Sequence, residues 1–440
     1  MKRSAQGGFV LLAGLALLAL ASVALLGVGY SANLLVEKRR ATDLADAASL
    51  SVASWYAQAM NYQAYANRAI AANEIMIAQS ITALSWMRHA QKLSENSGQL
   101  AGLVPGLAAA NQWFQQSVRL AEGVIESAAR AEIPARSAYT RALLASQEAM
   151  RLALSPFATQ SLVNEIVWSG DRRFFGQYLP TADVSRYYQA TRTYSGAEAQ
   201  PMAQFLMSEL DAFSRQRQFD QRLYLYPTHS CIPTSWDRLF GRMIRGGGTA
   251  LTPDYREWEA VDTLSAHSWR RRSRWNRSCS GLGESIPLGW GSAQAGSPAD
   301  YSVAGLGGAS RNPTAHSLAQ SSSSRVLGYL GLSPYRDLSD RSVEGRQNAQ
   351  FRVPILVRLA EKDLLQSPQA AASFSGLGLN RLAGGHVWAS ATAQAHFVPG
   401  PGQLQDSLPS LFLPYWRANL VNSSALDQAA AALVVERSGK

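Results

Sequence analysis

The sequence predicts an α+β protein: an N-terminal transmembrane helix that continues into a long Ala-rich helix and a helical domain, then a mixed, strand-containing C-terminal domain. Three observations carry this. Residues 9–31 form an uncharged apolar run. From Tyr30 to Ser97 there is no glycine and no proline, so nothing compels the backbone to leave a helix. Beyond about residue 223 glycine, proline, serine and tryptophan become frequent, and alternation of apolar and polar residues replaces the helical period.

The apolar core at 9–30 is 22 residues long. At about 1.5 Å per residue it covers about 33 Å, enough for a bilayer. A cleaved signal peptide is the competing reading, supported by the basic start Lys2-Arg3 and by the small-x-small triplet Ser22-Val23-Ala24. The run is longer than an ordinary signal-peptide core and continues past that triplet, which favours a retained anchor. Gly7-Gly8-Phe9 is similar to a type IV prepilin processing site, but Ala13 stands where those proteins carry glutamate, so no such cleavage is expected. Basic residues on the two sides, Lys2 and Arg3 against Lys38, Arg39 and Arg40, nearly balance. The short tail and the long body favour an N-terminus inside and a body outside.

After the anchor, Leu44, Ala48, Val52, Trp55, Ala59, Tyr62, Ala66 and Ala69 recur at steps of three and four. This is one helical stripe, mostly of small residues, on which another element can pack closely. Its partner is either this chain's own helices or other subunits. Further helical periodicity covers 114–128, 136–154, 159–168 and 201–219, with Pro134 as punctuation. In the second half, Gly246-Gly247-Gly248 is expected as a turn or loop, and 281–324 as a long Gly/Ser-rich surface excursion. Strands are expected at 352–359 and 386–398, the latter from strict alternation. Ser424 with Asp427 forms a capping pair for a last helix. The domains expected are a cytoplasmic tail (1–8), the anchor (9–31), a helical stalk and domain (32–220), a mixed α+β domain (221–425), and a C-terminal helix and tail (426–440).

At 440 residues the chain is too long for one ordinary core. It is 47% hydrophobic and only 16% charged, with a net charge of +10 carried mostly by arginine. That balance favours anionic partners without choosing among them. The sharpest basic feature is WRRRSRWNR, with Arg270, Arg271, Arg272, Arg274 and Arg277 beside two tryptophans. It is either a solvated basic loop or a surface for an anionic envelope polymer or lipid headgroup. One such cluster does not make a nucleic-acid fold, so no nucleic-acid partner is expected. Cys231 and Cys279 could close one loop of roughly 50 residues, worth about 3–4 kcal/mol in an oxidising compartment. In a reducing compartment they would be two buried thiols. Asp262, Ser265 and His267 lie close in DTLSAH, but close spacing does not make a triad and no GxSxG elbow exists. The dispersed histidines form no ligand spacing. Neither an enzyme, a cofactor nor a metal site is expected, and a hydrolase around Asp262 and His267 is the weakest alternative.

The anchor followed by RRATDLADAASLSVA resembles the TadE/TadG-like proteins of Flp (tight adherence) pilus assembly. The matching residues are Ala41, Asp43, Ala45, Asp46, Ala47 and Ala48, and NYQAYANRAIAANE, EWEAVDTLSAH, ATAQAHF and LFLPYWRANL are also similar to long members. Some members carry a metal-binding DxSxS motif; Asp337 and Ser339 begin such a pattern, but Arg341 ends it, so no metal site follows. The resemblance implies a non-catalytic, single-pass protein of the bacterial inner membrane with a periplasmic body. It implies other pilus-assembly or pilin-like subunits as partners.

Overall fold

The computed structural model describes residues 7–101, 107–179, 191–223, 231, 240–296, 306–339, 349–360, 363–364, 386–400 and 409–438. The expected tail at 1–6, Arg341 and part of the Gly/Ser-rich stretch lie outside them. Helix α1 runs unbroken over Gly7–Ala101, as the missing glycines and prolines of 30–97 dictate. Helices α2 (Leu107–Ala153) and α3 (Pro156–Gly170) follow, and Ser155 caps α3 by accepting from the Ala158 amide. Pro134 does not interrupt α2: the helix continues through it, and its ring packs against Gly328, whose φ of +98° only glycine adopts readily.

The chain divides into two compact units, and both are interleaved in sequence. The first comprises Met1–Tyr65, Gln147–Arg192 and Asp337–Lys440; the second comprises Ala66–Ser146 and Thr193–Arg336. The consecutive domains expected at 32–220 and 221–425 are therefore replaced by units that each draw on both halves. The reason is long-range strand pairing, which a local pattern does not specify. Short strands β2 (Thr191–Tyr194) and β8 (Tyr335–Leu338) lie where the chain passes between the units.

In the first unit, β1 (Phe174–Tyr178), β9 (Gln350–Ala360), β10 (His386–Phe397) and β11 (Trp416–Val421) form an antiparallel sheet in the order β1-β9-β10-β11. The alternation of β10 puts Val387, Ala389, Ala391, Ala393 and Ala395 into the core with Ala41, Ala45, Ala48, Val52, Tyr56 and Met60 of α1. Alanine on both surfaces lets helix and sheet pack closely. The opposite face takes α7 (Ala425–Ser438), through Ala431 and Val435 against Leu356. Ser424 and Asp427 cap α7 reciprocally: the Ser424 amide donates to Asp427 Oδ2 (3.0 Å), and the Asp427 amide to Ser424 Oγ (3.1 Å). The outer edge of β1 is closed by a side chain. Gln160 Nε2 donates to the Gly176 carbonyl (2.9 Å), and the Tyr178 amide donates to Gln160 Oε1 (2.8 Å).

In the second unit, β3 (Phe219–Leu223), β4 (Gly241–Leu251), β5 (Trp258–Arg271), β6 (Cys279–Ala295) and β7 (Ser324–Val326) form a sheet in that order, antiparallel except for β6-β7. Helices α4 (Gln200–Glu209), α5 (Ala212–Arg215) and α6 (Pro313–Ser321) complete it. The helix expected over 201–219 thus breaks where Asp211 caps α5 by accepting from the Ser214 amide. Two expectations are corrected here. Gly246-Gly247-Gly248 is not a turn but the interior of β4, and 281–324 is not a surface excursion: its described residues are β6, a 3-10 turn at Leu306–Arg311, and α6. The glycines answer to backbone contact. A Cβ on Gly246 would strike the Gly308 carbonyl, and one on Gly291 would strike the backbone of Ser85 and His89 in α1. Small residues that read as linker are the price of close packing.

Candidate functional site

The stripe expected on α1 is occupied. Ala48, Val52, Ala59 and Ala66 are buried, and Leu44, Trp55, Tyr62 and Ala69 are partly buried. The face centres one position away from the expected stripe, on Ala41, Ala45, Ala48, Val52, Tyr56 and Met60, and within the first unit it is covered by this chain's own sheet. Those positions are not open to other subunits. The N-terminal part of α1 is the opposite case. Leu11, Leu12, Leu15, Leu17 and Leu18 are all exposed, and none of residues 11–31 is buried. This helix is long and apolar enough to span a membrane.

The basic cluster forms the tip of the β5-β6 hairpin. Arg270 and Arg271 end β5, and Arg272, Arg274 and Arg277 lie in the exposed connection. Trp275 is 94% exposed between them. The tip is braced at its base. Trp269 Nε1 donates to the Phe240 carbonyl (3.1 Å), Arg270 donates to the Glu284 carbonyl, and Cys279 is joined to Cys231 by a disulfide with Cα atoms 5.1 Å apart. The disulfide ties the hairpin to a segment 48 residues earlier. A braced loop that displays arginines and an uncovered indole can hold an anionic surface by charge and by interfacial aromatic contact.

The DTLSAH residues do not converge. Asp262, Ser265 and His267 are buried in β5 and enter separate networks. Ser265 Oγ donates to Glu284 Oε1 (2.7 Å), and that carboxylate also accepts from the Ala315 amide (3.0 Å) at the start of α6. His267 Nε2 lies 2.7 Å from Asn312 Oδ1. The Asn312 amide nitrogen donates to the Ile244 carbonyl and to Thr263 Oγ1, so the oxygen is left to face the imidazole. With no nucleophile, base and acid in contact, a hydrolytic constellation has no geometry here.

Asp262 instead anchors a buried charge cluster that sequence reasoning missed. Arg217 Nε donates to its Oδ1 (2.6 Å) and Nη2 to its Oδ2 (3.1 Å), while Arg245 Nη2 donates to Oδ1 (3.4 Å) and Ser85 Oγ to Oδ2 (2.7 Å). Arg217 spends its remaining donors on the carbonyls of Phe213, Ser214 and Gly248. Gly247 lies opposite Asp262 in the β4-β5 register, and a Cβ there would come 2.6 Å from the carboxylate. The glycine triplet therefore makes room for a buried ion pair. Arg245 stacks over the Trp86 ring at 4.0 Å, and Trp86 stacks on His89. Burial, with Arg245 and Arg217 adding repulsion, pushes the His89 pKa down to about 4 against the pull of Asp262. A second buried carboxyl, Glu74, accepts from Trp258 Nε1 (3.1 Å) and Tyr329 (2.8 Å). Glu74 is satisfied within the protein, whereas Arg245 Nε and His89 Nδ1 beside Asp262 are buried without a hydrogen-bond partner among the described residues. Arg217 carries no motif, and its role follows only from pairing with a residue 45 positions away.

No family model matches the chain, and no curated protein or solved structure matches it.

Proposed function

We propose that this chain is a single-pass membrane protein that works by packing and docking rather than by chemistry. On this reading it is a structural component of a Flp-type pilus or related secretion apparatus in the bacterial envelope. The N-terminus is cytoplasmic and the body that follows the anchor lies on the periplasmic side. The observation that carries the reading is the contrast along α1: exposed leucines from Leu11 to Leu18, and a buried alanine face from Ala41 onward. A helix with lipid-like exposure at one end and core burial further on is suited to tether a folded body to a bilayer. The disulfide fits an oxidising compartment, and the resemblance over 41–48 supplies the apparatus.

The test compares a deletion strain complemented with the full chain and with a form lacking residues 9–31. The full chain is expected to resist alkaline extraction from membranes and to restore surface filaments counted by electron microscopy. The shortened form is expected in the soluble fraction, with filaments lost. Filaments at wild-type number in the uncomplemented deletion strain would remove the pilus assignment. A full chain recovered as a soluble protein would remove the anchor.

A second reading has its own observation, the exposed Trp275 and the arginines of the hairpin tip. Here the protein also grips an anionic envelope polymer or headgroup. Replacing Arg272, Arg274 and Arg277 together by glutamate is expected to abolish sedimentation with vesicles containing anionic lipid, and salt is expected to weaken wild-type binding. Unchanged binding by the charge-reversed protein would dismiss the reading.

A further inference from the structure

The two edges of the first unit's sheet are treated differently. At β1, Gln160 stands in for a neighbouring strand at the Gly176 carbonyl and the Tyr178 amide, and the Phe174 amide donates to the Asp171 carbonyl, so outward groups are paired at each of its three outward positions. At β11 a second amide does the same, but only once. Asn61 Nδ2 donates to the Trp416 carbonyl (3.0 Å), and the Trp416 amide donates to Asn61 Oδ1 (2.9 Å). The Val398 amide donates to the Tyr415 carbonyl, which sets the alternation: Arg417, Asn419 and Val421 point their backbone groups at β10, and Trp416, Ala418 and Leu420 point theirs outward. Beyond Trp416, the outward amides and carbonyls of Ala418 and Leu420 have no partner among the described residues. Arg417, Asn419 and Leu420 are exposed around them. The strand ends at Val421, and the carbonyl of Asn422 just beyond it accepts from Arg352.

An unpaired edge of this kind is a template for another strand. We propose that β11 pairs antiparallel with β11 of a second copy of this chain, about a two-fold axis at Asn419, joining two sheets into one.

The free groups are self-complementary. They sit at positions i and i+2, which is what one hydrogen-bonded ring of an antiparallel pair takes from each side. Ala418 of one copy then faces Leu420 of the other, and all outward donors and acceptors are satisfied. Asn419 faces Asn419 of the second copy in a non-hydrogen-bonded pair, where side chains come closest, and an amide can both donate to and accept from its twin. Arg417 falls opposite Val421 of the second copy, so the register keeps the two arginines apart. Any extended strand presents such backbone groups; the Asn419 twin pairing and the separation of the two arginines are what favour a second copy. The paired segment is short, so it needs high local concentration. Confinement of copies to one bilayer supplies that; this last step rests on the anchor reading, whereas the hydrogen-bond complementarity does not.

The test is cysteine cross-linking of the full chain in host membranes, read on non-reducing gels. Cys231 and Cys279 are already bonded to each other and do not compete. Asn419→Cys is expected to give most of the protein as a disulfide dimer. Arg417→Cys is expected to stay monomeric, while Arg417→Cys combined with Val421→Cys is expected to dimerise. Leu420→Pro removes an outward N–H that has no bond within the chain, so it is expected to leave the fold intact and to cut Asn419→Cys dimer several-fold. A folded Asn419→Cys protein that remains monomeric, or equal cross-linking at Arg417 and Asn419, would overturn the proposal. Membrane retention of the same samples, measured in parallel, reports on the anchor independently: a membrane-bound monomer refutes the pairing alone.

Discussion

Replacing Asp262 by alanine is expected to lower the stability of the second unit by about 3–5 kcal/mol. The carboxylate is fully buried, and Arg217 beside it is 5% exposed. Removing the acid leaves a guanidinium in the interior with no counter-charge, and Arg245 and Ser85 each lose a partner as well. The penalty comes from the abandoned cation, because the desolvation of Arg217 is no longer offset. Two companions separate that cause from simple loss of packing. Ser85→Ala deletes one hydrogen bond to a charged group and is expected to cost only about 1.5–3 kcal/mol. Asp262→Leu combined with Arg217→Met removes both charges and is expected to recover a large part of the loss. Thermal unfolding of the full chain in detergent, with hydrogen exchange read on β4–β6 peptides, measures all three. Exchange in Asp262→Ala at the wild-type rate would show that the cluster does not hold the sheet.

His89 makes the same unit sensitive to acid. In the folded protein its pKa is pushed down to about 4, chiefly by burial, from an ordinary 6.5. The unfolded chain therefore binds a proton between these values when the folded chain does not. Stability falls as pH falls through that window, and the contribution is complete near pH 4. The depression is worth about 3 kcal/mol in all. Above the ordinary value both states carry neutral imidazole, and the contribution is flat. His89→Gln is expected to remove the slope while keeping a polar side chain in the site. Hydrogen exchange of β5 and β6 at pH 7, 5.5 and 4.5, corrected for the intrinsic rate, is the readout. Parallel pH dependence in wild type and His89→Gln would place the acid sensitivity elsewhere, and Glu74 would not replace it. Burial raises the Glu74 pKa, so its penalty grows as pH rises rather than as it falls.

These effects arise where local and long-range information part company. The continuous helix of Gly7–Ala101 was legible because it needs only the absence of breakers and a 3.6-residue period. The strand at His386–Phe397 was legible because alternation is a local pattern, and the Ser424–Asp427 cap because its two partners are three residues apart. The α+β class followed from those elements. The glycine triplet and the Gly/Ser-rich stretch were misread for one physical reason. Glycine serves flexible loops and tight backbone contact equally well, and only the neighbour decides which. At Gly246 the neighbour is Gly308, and at Gly291 it is α1.

What the sequence determined by itself is therefore the class of the elements and the apolar, exposed start of α1, both set by residue periods and composition. Tertiary structure decided the rest. It interleaved the two units, covered the α1 stripe with this chain's own sheet, and separated Asp262 from His267. It also set Arg217 against Asp262 and left the outward backbone groups of Ala418 and Leu420 without a partner among the described residues. Each of these depends on which distant segments pair in which register. A one-residue shift in register would exchange buried and exposed faces without altering any local pattern.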